Sequence, residues 1–310
     1  MKLLTKRHPV ATLLFTATTM LAAHNCWSAV TVISTVDFED GALPTTNNWQ
    51  FGSQQGGVMA VSKDPTQNHN GSRGSVVGKY PASAAGGMYL WGAYDMASMN
   101  LSDVYVEWWA KMPAQKHGLK FMKIFGQETI YNNLHGSANT TFGLDYTGGD
   151  NGSIYAVSFG DGATGPSNDT QNVILFSGAN KNWVGRSYPV ATIDTPQNAS
   201  WASKNWDNNT WHHFRAHVKF NSGTTAATEK PDGEYYMEID GKVYADVKGI
   251  FNRHFSNLPL SKIVFFDWVQ GNPAFEVWYD DITISTGGFV GAAAVNPPKP
   301  PSLPKINNPK

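Results

Sequence analysis

The segment Trp211–Lys219, WHHFRAHVK, alternates large apolar residues with cationic and titratable ones. As a strand it places His213, Arg215 and His217 on one face with Trp211, and Phe214, Ala216 and Val218 on the other. A guanidinium between two imidazoles suits the capture of an acidic group and the movement of a proton. In LKFMKIF, Lys123 lies beside Phe121 and Phe125, where desolvation lowers an ammonium pKa and makes a lysine a base. Lys120 is predicted on the opposite face of that strand. Asp145 in TTFGLDY and Tyr155 in SIYAVSF are predicted on a face shared with Lys123. Trp183, Trp201 and Trp206 stand among Asn, Ser and Lys in a loop-like region, and with Trp211 they are candidates for stacking on sugar rings. Glu39 and Asp40, in DFEDG, offer the oxygen ligands that Ca²⁺ takes, or simply make a polar turn.

Strands must carry these groups. After the first 29 residues no segment of any length has a helical period. Short alternating runs bounded by Gly, Pro, Asn and Ser recur instead. Val104–Met112 and Leu119–Phe125 read as hairpin partners, as do Thr140–Tyr146 and Ser153–Phe159 across a Gly-rich turn. Trp211–Phe220 and Glu234–Asp240 begin a meander, with Asp240-Gly241 as its next turn. Lys262–Val269 and Phe275–Ser285 complete the set. Many short strands and an aromatic-rich composition predict an all-β, two-sheet antiparallel jelly-roll sandwich over residues 30–286.

The chain has 310 residues, 13% of them aromatic and 15% charged, enough for a substantial core. Residues 1–29 have a basic start, an apolar middle and small residues at Ser28 and Ala29, the pattern of a secretory signal peptide, so a secreted or periplasmic protein is expected. Cys26, the one cysteine, lies within it. The mature chain then has no thiol chemistry and no disulfide. Removing Lys2, Lys6 and Arg7 from 23 basic residues leaves 20 against 24 acidic ones, a formal charge of −4. That balance argues against nucleic acid as partner. A monomer without membrane attachment and without an organic cofactor is expected. Residues 287–310 are Pro-rich and read as a tail. No GxGxxG, P-loop, HExxH or GxSxG is present.

Taken in order, DFEDG, YVEWWAKMP, HGLKFMKIFG, NTWHHFRAHVKFNSG, DGEYYMEIDGK and WYDDITIS resemble the concanavalin A-like lectin/glucanase superfamily. Within it they are nearest to secreted polysaccharide lyases of the alginate and glucuronan lyase type. The resemblance implies a cleft lysine at Lys123 or Lys120, polar and tyrosine groups at Asp145 and Tyr155, and a structural Ca²⁺ held by Glu39 or Asp40 with Asp281. It departs at TTFGLDY, which lacks the serine and arginine usual there. Arg215 is the substitute for binding a uronate carboxylate. β-Elimination then needs a base, for which Lys123, His213 and His217 are candidates, and an acid for the leaving oxygen, Tyr155. Hydrolysis would need a carboxylate pair, for which Glu238 and Asp240 are the compact choice. A carbohydrate-binding module or lectin needs only the tryptophans and polar groups.

Overall fold

A strand with period-two alternation has one dry face, and two sheets bury such faces by stacking them. The computed structural model describes residues 29–45, 48–82, 87–113, 119–126, 140–146, 152–158, 172–177, 180–184, 209–223, 228, 230, 232–250, 259–266, 268–269 and 273–291, with only the backbone for 88, 119–120, 140–146, 152–158, 172–177, 180–184, 244–245, 247, 249–250 and 268. The signal segment, Trp201, Trp206 and the tail from 292 onward lie outside the described residues.

The strands, in chain order, begin with β1 (Thr31–Val36), β2 (Trp49–Ser53), β3 (Val58–Ser62), β4 (Ser75–Tyr80), β5 (Gly87–Met88) and β6 (Leu90–Asp95). Then come β7 (Asp103–Lys111), β8 (Leu119–Gly126), β9 (Thr140–Tyr146), β10 (Gly152–Ser158), β11 (Asn172–Ser177) and β12 (Asn180–Val184). The last are β13 (Trp211–Lys219), β14 (Gly233–Ile239), β15 (Lys242–Ile250), β16 (Leu260–Phe265), β17 (Trp268–Val269) and β18 (Phe275–Thr286). Among the described residues the only helical elements are two three-residue 3₁₀ turns, His69–Gly71 and Ala97–Met99.

The first sheet runs β15-β14-β13-β7-β18-β4-β3, with β1 also on β18. The second runs β12-β11-β10-β9-β8-β16-β6-β2, with β17 and β5 attached to it. Trp108, Phe214, Tyr235 and Tyr279 of the first sheet meet Phe121, Met122, Ile124 and Phe265 of the second in one core. Each such side chain contributes on the order of 1.5–3 kcal/mol through burial. The Tyr279 hydroxyl donates to the Phe121 carbonyl at 2.7 Å, joining the layers.

The expected meander β13–β14–β15 forms, and its turn has Asp240 and Gly241 at φ 51° and 75°, the left-handed pair a tight hairpin of this kind requires. Thr140–Tyr146 and the following strand also pair as expected. Two expectations change. β7 and β8 are not a hairpin: β7 pairs with β13 and β18, and β8 with β9 and β16, so the two belong to different sheets. Trp183 belongs not to a loop but to β12, opposite Ile174.

Candidate functional site

Alternation on β13 works as the sequence requires. Phe214, Ala216 and Val218 enter the core, and His213, Arg215 and His217 stand on the outer face of the first sheet. The expectation that this row shares a groove with Lys123 and Tyr155 is corrected, because those two stand on β8 and β10 of the second sheet. Alternation assigns a residue to one face of its strand and says nothing about which sheet the strand joins.

Arg215 is already neutralised where it stands. Its Nε donates to Glu107 Oε1 at 3.0 Å and its Nη1 to Glu238 Oε1 at 3.3 Å, while the Tyr236 hydroxyl donates to Glu238 Oε2 at 2.6 Å. The backbone amides of Val290 and Gly291 donate to Glu107 Oε2, and Phe289 lies 5.5 Å from the guanidinium carbon. With Arg215, Glu107 and Glu238 at 18%, 7% and 12% exposure, this is a largely internal ion network. A uronate would have to displace one of its carboxylates.

The rest of that face is equally engaged. His217 Nε2 is 2.8 Å from Asp103 Oδ1, and its ring stacks on Tyr105 at 4.0 Å. Burial, with Asp103 beside it, pushes the Tyr105 phenol up to about 12. His213 stacks on Trp109 at 4.9 Å, and burial together with Arg215 holds its imidazole below the usual range. Trp211 donates to the Gln67 carbonyl at 3.1 Å and packs near His69 and Lys111. The candidate hydrolytic pair does not form either. Glu238 is held by Arg215, and Asp240 binds His212 Nδ1 at 2.5 Å and the His213 amide at 2.9 Å.

The second sheet presents a different outer face. Met122 and Ile124 belong to the core, while Phe125, Val264 and Ala93 form a separate apolar cluster and therefore mark the outer side. Lys123 is on that side, 4% exposed, its ammonium 5.5 Å from the Phe125 ring centre. Register carries the row across the sheet: Lys123 opposes Gly143, Gly143 opposes Tyr155, Tyr155 opposes Leu175, and Leu175 opposes Asn182. In the other direction Lys123 opposes Val264 and Val264 opposes Ala93.

Lys120 joins the same face. A bulge between Lys120 and Met122 leaves Lys120 opposite Asp145 and Lys123 opposite Gly143, partners two residues apart. The predicted placement of the two lysines on opposite faces is corrected by that one extra residue. Asp145 and Tyr155 do share the face of Lys123. Trp183 stands one step off, in the row of Ile174, Ala156, Phe142 and the core residue Ile124. Gly143, between Lys123 and Tyr155, was not singled out by sequence reasoning. A glycine inside a strand signals close approach by a ligand or another backbone, and TTFGLDY carries that signal.

The carboxylates named for Ca²⁺ do not converge. Glu39 accepts from the Arg73 amide and Nε at 3.1 Å, Asp40 accepts from the Ala42 amide at 3.0 Å, and Asp281 pairs with His69 at 3.0 Å. Among the described residues no group of three or more His, Cys, Asp or Glu could hold a metal ion. The neighbouring Asp280 is fully buried and accepts from the Ser75 and Ser72 hydroxyls at 2.5 and 3.0 Å. Burial raises its carboxyl to about 6. Asn68 Nδ2 donates to the Ser72 carbonyl, while the buried Asn68 Oδ1 has no donor. The other Asp280 oxygen accepts from the Asp281 amide at 2.9 Å.

Two antiparallel sheets with this strand order define a concanavalin A-like jelly-roll sandwich. The chain is similar to an endo-β-1,4-glucuronan lyase from the fungus Trichoderma reesei, at 11% identity and a TM-score of 0.53 over 83% of this chain and 96% of that one. It is also similar to alginate lyase vAL-1 from a Chlorella virus, at 14% identity and a TM-score of 0.51 over 83% of this chain and all of that one. No family model and no curated protein matches the sequence.

Proposed function

We propose that the protein is an exported polysaccharide lyase that cleaves a uronate-containing polymer by β-elimination on the outer face of the second sheet. The observation that carries this reading is the register that sets Lys123, Gly143 and Tyr155 in one row, with Lys120 and Asp145 in the next. The likeness to the two lyases supports it through the fold.

In this reading Lys123 takes the C5 proton, the C4–O bond breaks as the C4=C5 double bond forms, and Tyr155 gives a proton to the leaving oxygen. Lys120 offsets the charge that develops on the uronate carboxylate, the role expected of Arg215. Asp145 accepts from a sugar hydroxyl. Incubation with alginate, glucuronan and other uronate polymers tests the reaction, because the unsaturated product absorbs in the ultraviolet. Absorbance should rise with at least one polymer. Binding of these polymers without any rise would give the protein the role of a lectin or binding module.

Calcium enters as a structural ion, with Asp280 and Asn68 as its candidate ligands. When bound it supplies positive charge beside the Asp280–Asp281 pair. Excess chelator should lower the melting temperature of the wild type and leave that of Asp280→Asn unmoved. Equal behaviour of the two proteins counts against the site.

A further inference from the structure

Leu90 and Tyr94 of β6 enter the core, so Trp91 and Ala93 stand on the outer face of the second sheet, and Ala93 belongs to the apolar cluster beside Lys123. On β2, Trp49 enters the core and Gly52 opposes Trp91. The indole lies down on this glycine. A Cβ built at Gly52 would stand 2.1 Å from Trp91 Cζ2 and 2.4 Å from Cε2, a collision with the ring itself. Glycine is therefore the residue that lets the indole rest against the sheet, with one ring face on the backbone and the other turned away from it. Trp91 is only partly buried, and it makes no hydrogen bond and no ring contact with the described residues. By contrast, Trp109 on the first sheet has His69 stacked at 4.1 Å and His213 at 4.9 Å.

We infer that Trp91, seated on Gly52, is an aromatic platform for a pyranose ring at a subsite remote from the bond that is cleaved. Lys123 opposes Val264 and Val264 opposes Ala93, with Trp91 two residues further along β6. Two strand spacings of roughly 4.8 Å and two residues of about 3.3 Å put the platform on the order of 12 Å from Lys123. That exceeds the reach of the sugar whose proton Lys123 takes and falls within reach of another unit of the same chain. A flat aromatic surface binds the C–H face of a sugar whatever its charge, so the ligand class is a hexopyranose polymer, with the acidic groups read elsewhere on the face. The inference rests on the proposed groove and adds its length.

Affinity gel electrophoresis through alginate, glucuronan and a neutral β-glucan, paired with the ultraviolet assay, tests it. Wild type should be retarded by at least one polymer. Trp91→Ala should lose about tenfold in affinity for that polymer, with kcat nearly unchanged and KM raised. Trp91→Phe should recover part of the loss. Gly52→Val keeps the indole but lifts it from the sheet, and should behave as Trp91→Ala does at an unchanged melting temperature. Retardation of Trp91→Ala and Gly52→Val equal to wild type overturns the platform, whether or not the protein is a lyase. Retardation of wild type with the expected losses but no ultraviolet product overturns the lyase reading and keeps the platform. A wild type retarded by none of the polymers overturns the platform, and the ultraviolet assay alone then decides the lyase reading.

Discussion

The outer faces of the two sheets both carry basic and aromatic residues, yet they are built for different ends. On the first, the cations are engaged by their neighbours: Arg215 has Glu107 and Glu238, Lys219 has Glu234, His217 has Asp103, and Lys111 donates to the backbone and side-chain oxygens of Gln67. The segment Phe289–Gly291 closes over the network. On the second, two lysines are brought to one face by a bulge, a glycine sits between Lys123 and Tyr155, and an indole lies flat on another glycine. Charge that is internally compensated serves folding, whereas a row that aligns a lysine, a glycine and a tyrosine across three strands suits a ligand.

That contrast gives the largest expected effect to Lys123. Lys123→Met preserves most of the volume over Phe125 and should lower turnover by about 10²–10⁴-fold, the scale of one proton-transfer group. Its melting temperature should change little. Steady-state rates on the uronate polymer accepted by wild type measure this, and a near-normal rate would move the chemistry away from the second sheet.

The reciprocal substitution on the first sheet should act on stability. Arg215→Ala leaves two mostly buried carboxylates facing one another, and removing one partner of such a pair costs about 3 kcal/mol or more. Denaturant unfolding should register that loss while turnover per folded molecule stays at the wild-type level. Loss of turnover without loss of stability would restore Arg215 to the binding role suggested by the sequence.

A smaller effect is expected from His213. Its folded pKa lies below the ordinary value of 6.5, chiefly through burial and then through Arg215. Between those two values the unfolded chain binds more protons than the native protein, so stability rises with pH across that window and falls as the solution is acidified through it. His213→Gln should flatten this slope in unfolding midpoints measured from about pH 5 to 7. An unchanged slope would remove His213 as the source of the pH dependence.

Much of this was legible in the sequence, and the failures have definite causes. Period-two alternation gave the face of every residue from His212 to Val218, because burial acts on each side chain in turn. It also put Asp145 and Tyr155 with Lys123. It misplaced Lys120 because a bulge is one extra backbone residue with no side-chain signature. Pairing β7 with β8 failed because adjacent strands in a sandwich can join different sheets, and the short link Pro113–Gly118 reads the same in either case. Trp91 passed unnoticed since its role depends on Gly52, a partner from a distant strand.

Hydroxyl-radical footprinting, with and without a saturating uronate oligosaccharide, bears most directly on which face carries the site. Protection should appear in the peptides holding Lys120–Phe125 and Ser153–Tyr155, with Trp109, Trp211 and His213 oxidised equally in both samples. Protection of Trp109, Trp211 and His213, with those two peptides unchanged, would contradict the assignment of the site to the second sheet.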